Sequence, residues 1–282
     1  YHTAQANPGA ADMDRFREML SAAKKPLVLA GGGGWTQAAC DDLATFAERN
    51  ELPVSVAFRR QDLMNNLHPN YAGVIGLGLN PTLKQRLDES DLLIVVGPQL
   101  GEIVTGGYTY FSFPKPRQTM IHISAGVDEI GKVYQADLGI NSGMAEFCAA
   151  ASAMDPVDAP WKGEAEAAHA DYMAFSTPPE MPGNVNYSEI VGWLSDNLPE
   201  DAIITNGAGN YTVWVHRFFR YKQYGTQLAP QSGSMGYGVP SGVSAAVRHP
   251  GRVVVSFSGD GCFQMNGQEI GTAVQHGAKT IF

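Results

Sequence analysis

Short blocks of consecutive apolar residues, each of strand length, alternate with segments in which apolar positions recur every three or four residues. The blocks are Lys25–Ala30, Leu52–Ala57, Asp91–Gly97, Thr119–Ile123, Ala202–Thr205 and Arg252–Ser258, and Ala278–Phe282 opens another. Such runs predict strands buried on both faces. The helical rhythm predicts helices over 12–23, with Met13, Phe16, Met19 and Leu20 on one face, and over 36–49, with Ala39, Leu43 and Phe46 inward. Asn80 as N-cap and Pro81 at the first helical position open another. Further helices are expected over 187–198, 211–221, 234–248 (glycine-interrupted) and 264–276, the last with Ile270, Ala273 and Val274 on one face. Strands alternating with helices predict a parallel sheet covered on both sides.

The rhythm breaks over 151–185. Asp155-Pro156, Ala159-Pro160, Thr177-Pro178-Pro179 and Met181-Pro182-Gly183 punctuate it, with one Ala/Glu-rich helical piece between Trp161 and Phe175. This predicts a linker. The expected fold is α/β: two doubly wound parallel-sheet domains, 1–150 and 186–282, joined by 151–185, the second truncated. At 282 residues there is material for two cores.

Composition narrows the function. Net charge is −9 with no Lys/Arg block, which argues against a nucleic-acid or anionic-membrane partner. No apolar run is long enough to span a bilayer. Cys40, Cys148 and Cys262 are far apart and odd in number, so neither a disulfide framework nor a metal spacing follows. A reducing, cytoplasmic location is expected. The sequence starts at Tyr1-His2 without an initiator Met, as a cut chain would.

Candidate chemistry sits at three glycine-rich junctions between strand and helix. Gly259-Asp260-Gly261-Cys262 follows the run 252–258. Open parallel sheets bind ligands at that edge. Glycines let backbone approach a ligand, free N–H groups at a helix start favour phosphate, and an Asp supplies a hard oxygen for Mg²⁺. Upstream lie Asn206-Gly207-Ala208-Gly209-Asn210-Tyr211 and Gly233-Ser234-Met235-Gly236-Tyr237-Gly238. Each has a plain reading when taken alone. Asp-Gly is a turn, Asn210 a helix cap, Met235 core filler and Glu269 a surface carboxylate. Cys262 reads as packing rather than as a nucleophile, since no motif places a His beside it.

Together the three junctions resemble the diphosphate-binding domain of thiamine diphosphate enzymes, in the acetolactate synthase and 2-oxo-acid decarboxylase group. The stretch Gly259 to Gln268 is the most similar, and the likeness runs more weakly through most of the chain. The resemblance implies a site in which Gly209, Asn210 and Tyr211 wrap the coenzyme's diphosphate. The Gly233 carbonyl would accept from the aminopyrimidine's amine, and Met235 would prop the coenzyme in its bent shape. Asp260 would ligate Mg²⁺, and the Gly261 and Cys262 N–H groups would hold the diphosphate. It also implies a 2-oxo acid substrate such as pyruvate, a homodimer or homotetramer, an activating Glu in a separate N-terminal domain and an Asn ligand beyond Phe282. This piece alone is therefore expected to carry no catalytic residue and no activity.

The quartet Gly31-Gly32-Gly33-Gly34 follows a strand and precedes a helix, as in a dinucleotide fold. It lacks the third fingerprint glycine, and Phe58-Arg59-Arg60 stand where an acidic residue would end the second strand. A nicotinamide dinucleotide site does not follow. In acetolactate synthases this middle domain carries FAD. Here Val74–Leu79 resembles their glycine loop without its His, and Pro98-Gln99-Leu100-Gly101-Glu102 replaces their Arg-Phe-Asp-Asp-Arg run, which argues against FAD. The alternative is a non-catalytic nucleotide-binding or interaction module built on the Gly31–Gly34 domain.

Overall fold

The six apolar blocks each form a strand, and three further strands complete the two sheets. The structure is a computed structural model that describes residues 4–282. Contacts divide the chain into two units, Tyr1–Ala174 and Phe175–Phe282. The first holds α1 (Ala10–Ala22), β1 (Pro26–Ala30), α2 (Gln37–Arg49), β2 (Val54–Ala57), β3 (Tyr71–Ile75), α3 (Pro81–Glu89), β4 (Leu92–Val96), β5 (Thr119–Ser124), β6 (Leu138–Asn141) and α4 (Met144–Ala153). Helix α5 (Glu164–Phe175) ends at the boundary. The second unit holds α6 (Tyr187–Asn197), β7 (Ile203–Asn206), α7 (Thr212–Phe218), β8 (Gln227–Leu228), α8 (Gly238–Arg248), β9 (Val254–Phe257), α9 (Asp260–Asn266) and α10 (Glu269–His276).

The first sheet runs β3-β2-β1-β4-β5-β6, all parallel. This is the doubly wound order, with its topological switch point between β1 and β4. Val28 pairs with Val54 on one side and Ile94 on the other, and every residue of β1 and β4 is buried. That is why these strands read as unbroken apolar runs. Leu27, Leu29, Leu93 and Val95 pack with Leu83 and Leu87 of α3. Phe16 of α1 meets Phe46 of α2 at 5.8 Å and Phe147 of α4 edge-on at 5.5 Å.

The glycine quartet has a packing role at the switch point. A side chain on Gly32 would begin 2.1 Å from the Gly97 carbonyl oxygen, and one on Gly31 2.6 Å from the Ala57 Cβ. Gly32 has φ +71°, and the Trp35 indole N–H donates to the Gly31 carbonyl at 2.6 Å. Two backbones touch where β1 and β4 end. That contact demands glycine whether or not a phosphate ever sits nearby.

The segment 151–185 is not uniform. Val157, Trp161, Ala168 and Tyr172 are buried in the first unit. The Trp161 indole N–H donates to the Asn50 carbonyl at 2.9 Å, and Tyr172 sits edge-on to Tyr71 at 4.8 Å. Arg86 pairs with Glu164 at 2.6 Å and Asp171 at 2.9 Å. Prolines mark where the chain turns, but apolar residues between them carry α5 onto the sheet, and the boundary falls at Ala174/Phe175. Asn80 caps α3 as its sequence position implies, accepting from the Thr82 N–H at 3.1 Å, and its amide also donates to the Asp171 carbonyl at 3.3 Å. Asn80→Ala is expected to cost roughly 1–2 kcal/mol. Urea melts of the two chains measure it, and equal midpoints would show the cap to be idle.

In the second unit β7 lies between β8 and β9, all parallel, and Ile281 extends the sheet by a single bridge to Val255. The expected helix over 264–276 is instead two. α9 begins at Asp260, and the chain breaks at Gly267, where a side chain would start 3.0 Å from the Phe263 carbonyl oxygen. Of the expected inward face only Ala273 is buried, while Val274 is 77% exposed. Helix α8 starts at Gly238 rather than Ser234, because Gly236 takes φ +81°.

Candidate functional site

Three loops meet at the carboxyl ends of β7 and β9. The first, 207–211, leaves β7. Gly209 takes φ +156°, and the Tyr211 ring folds back over it, so that a side chain on Gly209 would begin 2.9 Å from the ring. The third, Gly259–Cys262, leaves β9 and becomes the first turn of α9. A side chain on Gly259 would start 3.2 Å from the same ring. Tyr211 therefore lies between both turns.

Cys262 ties them further. Its Sγ–H donates to the Ala208 carbonyl at 2.9 Å, and the Tyr211 hydroxyl donates to its sulfur at 3.6 Å. Burial opposes ionisation of this thiol. Hydrogen bonds with backbone groups of Gly236, Ala208 and Gly259 and with the Tyr211 hydroxyl outweigh it, and the thiol sits below its ordinary pKa. Burial, with the Cys262 contact added, pushes the Tyr211 phenol up. Both side chains are spent on protein contacts. The loops thus offer a ligand mainly backbone groups.

The middle loop, Gly233–Tyr237, precedes α8. Gly233 takes φ +74° and has open space where a Cβ would be. Met235 is exposed, and its terminal methyl lies 2.9 Å from where a Gly261 side chain would begin. The Asn266 amide of α9 donates to the Gly236 carbonyl at 2.8 Å. Sequence reasoning did not single out Asn266. No spacing marks it, because its partner is reached only through the fold. Thr205 is similar: its hydroxyl donates to the Gly238 carbonyl at 2.9 Å and seats the start of α8.

Asp260 is exposed at the first position of α9, and no side chain caps that helix from Gly259. The Gly261 and Cys262 N–H groups belong to a first turn that has no intrahelical acceptor for them. Asn210 is exposed beside this turn's neighbour loop. A cleft of about 460 Å³ runs from Tyr211 and Gly259 along β9 to Phe282. Among the described residues no three His, Cys, Asp or Glu side chains gather as a metal site. A lone carboxylate beside free N–H groups suits Mg²⁺ carried by a phosphate ligand, since Mg²⁺ takes one or two carboxylates and fills its shell with phosphate oxygens and water.

Residues 13–151 match the family described as thiamine pyrophosphate enzyme, central domain. Residues 207–282 match thiamine pyrophosphate enzyme, C-terminal TPP binding domain. The chain belongs to the thiamine pyrophosphate enzymes. The three loops fall inside or at the edge of the second match. Among curated thiamine pyrophosphate enzymes, the acetolactate synthase isozyme 2 large subunit of Escherichia coli K12 is 28% identical over 265 residues, covering 93% of this chain and 47% of that protein. The probable acetolactate synthase large subunit of Methanocaldococcus jannaschii is 29% identical over 275 residues, 94% of this chain and 46% of that one. The acetolactate synthase large subunit of Corynebacterium glutamicum is 29% identical over 281 residues, 96% of this chain and 44% of that one. The chain spans about half the length of the curated relatives it matches. No helix among the described residues is long and apolar enough to cross a membrane.

Proposed function

We propose that this chain supplies the diphosphate end of a thiamine diphosphate and Mg²⁺ site in an acetolactate synthase-like enzyme. That enzyme decarboxylates a 2-oxo acid such as pyruvate and transfers or releases the aldehyde unit. The observation that carries the reading is the uncapped first turn of α9, with Asp260 exposed at its start and two positive-φ glycine loops beside it. Asp260 holds Mg²⁺. The N–H groups of Gly261 and Cys262, with Gly209 and Asn210, hold the diphosphate. Tyr211 keeps the first and third loops in register. The Gly233 carbonyl accepts from the pyrimidine's amine, and Met235 presses the coenzyme into its bent form. The bound coenzyme supplies the electron sink that decarboxylation of a 2-oxo acid requires. The protein's share is to place it and to neutralise its phosphates.

FAD is not a tight ligand of the first unit on this reading. Support comes from the Pro98–Glu102 run, which offers no cation to a phosphate, and from the missing His in 74–79. Gly31 and Gly32 at the switch point are explained by close packing and carry no separate signal for a nucleotide. The enzyme works as a homodimer or homotetramer in the cytoplasm, in line with the large subunits named among its relatives and with the absence of any disulfide among Cys40, Cys148 and Cys262.

Thermal melting with ligand tests the reading against a nucleotide-binding module. Thiamine diphosphate with Mg²⁺ is expected to raise the melting temperature of the 282-residue chain, by about 1.4 kcal/mol of added stability at a concentration roughly ten times Kd. Binding is expected to be weak, in the millimolar range, because the loops give only part of a pocket. An adenine nucleotide alone should give no shift. The reverse pattern would support the module instead.

A further inference from the structure

We infer that Asn266 of α9 is a positioning residue: it fixes the middle loop, 233–237, relative to Asp260, and so sets where the pyrimidine end of the bound coenzyme stands relative to its diphosphate. The inference rests on the coenzyme reading above and adds a residue that holds neither end of the ligand itself. Helix α9 serves as a ruler. Asp260 opens it and Asn266 closes it, six residues later and about 9 Å along the axis.

The loop is anchored through Gly236. Positions 231–235 are all exposed, whereas Gly236 is buried. Gly236 takes φ +81°, and a side chain there would start 2.8 Å from the Asn266 amide nitrogen and 3.1 Å from the Met265 Cβ. The loop therefore meets α9 through bare backbone. The Asn266 amide donates to the Gly236 carbonyl at 2.8 Å, and Cys262, one turn earlier on the same helix, bonds the Gly236 backbone as well. Residues four apart share a helix face, so both grips reach Gly236 from one side. Further up the loop, the Gly233 N–H donates to the Pro230 carbonyl at 3.0 Å and the Ser232 and Ser234 hydroxyls meet at 3.4 Å. Those bonds stay within 230–234. The next fixed point, the Gly238 carbonyl held by Thr205, belongs to α8.

The orientation of the Asn266 amide follows from its surroundings. The Gln268 side-chain amide donates to Asn266 Oδ1 at 3.5 Å, which leaves Nδ2 to face the Gly236 carbonyl. Turned over, the amide would set two oxygens against each other. An aliphatic side chain in its place leaves that carbonyl without its donor, and on α9 only Cys262 then holds the positive-φ turn. Met235 immediately precedes this turn and Gly233 lies three residues before it, so both shift when it relaxes. The diphosphate end stays in place, because Asp260 and the first turn of α9 owe nothing to the Gly236 carbonyl.

Two ligands, each with Mg²⁺, separate the ends of the site on the native enzyme that carries this chain, freed of bound coenzyme. Inorganic diphosphate engages one end, and thiamine diphosphate engages both. Titration calorimetry compares the unmutated enzyme with Asn266→Ala and with Asn266→Leu, which keeps the volume of the side chain. In both variants thiamine diphosphate is expected to bind about five- to tenfold more weakly, while inorganic diphosphate stays within about twofold of the unmutated enzyme. Unchanged binding of thiamine diphosphate would overturn the assignment. So would an equal loss for both ligands, which is the mark of a general loosening of α9. Binding of neither ligand by the unmutated enzyme would bring down the coenzyme reading, and this assignment with it.

Discussion

Asp260→Ala will abolish Mg²⁺-dependent binding of thiamine diphosphate to the native enzyme that carries this chain, and Glu102→Ala will leave it unchanged. Asp260 is exposed and bonds no other side chain, so the fold does not depend on it. Its removal leaves the first turn of α9 without its only carboxylate near the diphosphate. A charge-assisted contact is worth roughly 1.5–3 kcal/mol, which raises Kd about ten- to hundredfold for one lost contact alone. The loss grows further where Mg²⁺ no longer bridges protein and phosphate. Glu102 is equally exposed but follows β4 in the first unit, so it controls for a mere change of net charge. Titration calorimetry on both variants gives the answer. If Asp260→Ala bound coenzyme and Mg²⁺ like the unmutated enzyme, the assignment of the metal would be wrong.

Gly32→Ala is expected to destabilise the first unit by roughly 3–5 kcal/mol, while Gly33→Ala should stay within about 0.5 kcal/mol of the unmutated chain. The neighbouring glycines differ in what surrounds them. Gly32 takes φ +71°, and its Cβ would lie 2.1 Å from a backbone oxygen that cannot rotate away. Gly33 has open space, and its φ lies outside the left-handed range. A loss of this size is a large part of the stability of a unit this long. Urea denaturation followed by circular dichroism separates the two variants. Coincident melts would mean that β1 and β4 tolerate separation at their ends.

The strands buried on both faces were legible because burial itself writes an unbroken apolar run, as in Leu92–Val96. β3 was not legible: Gly73 interrupts it, and a weak alternation around a glycine looks like a loop. The two-residue β8 leaves no pattern to read. Over 264–276 the periodicity was continuous but the helix was not, since period describes where apolar residues sit and not what covers them. Ile270 and Val274 keep the spacing of a buried stripe and lie open. The same limit applies to the loops. Gly209, Gly233 and Asp260 stand out locally, because turn chemistry and positive φ leave a mark in neighbouring residues. The bonds from Cys262 to Ala208 and from Asn266 to Gly236 join residues 54 and 30 positions apart, and sequence spacing has no way to express them.

One of those contacts also constrains how the protein can vary. A side chain on Gly207 would start 2.9 Å from the Cys262 sulfur and 3.0 Å from the Tyr211 oxygen. Three residues from two loops therefore share one small volume. Enlarging position 207 is admissible only if 262 shrinks or the ring at 211 withdraws, and either change loosens one loop from the other. Substitutions at these positions must arrive in matched sets, so a swap of either loop from a distant homologue should carry the other with it.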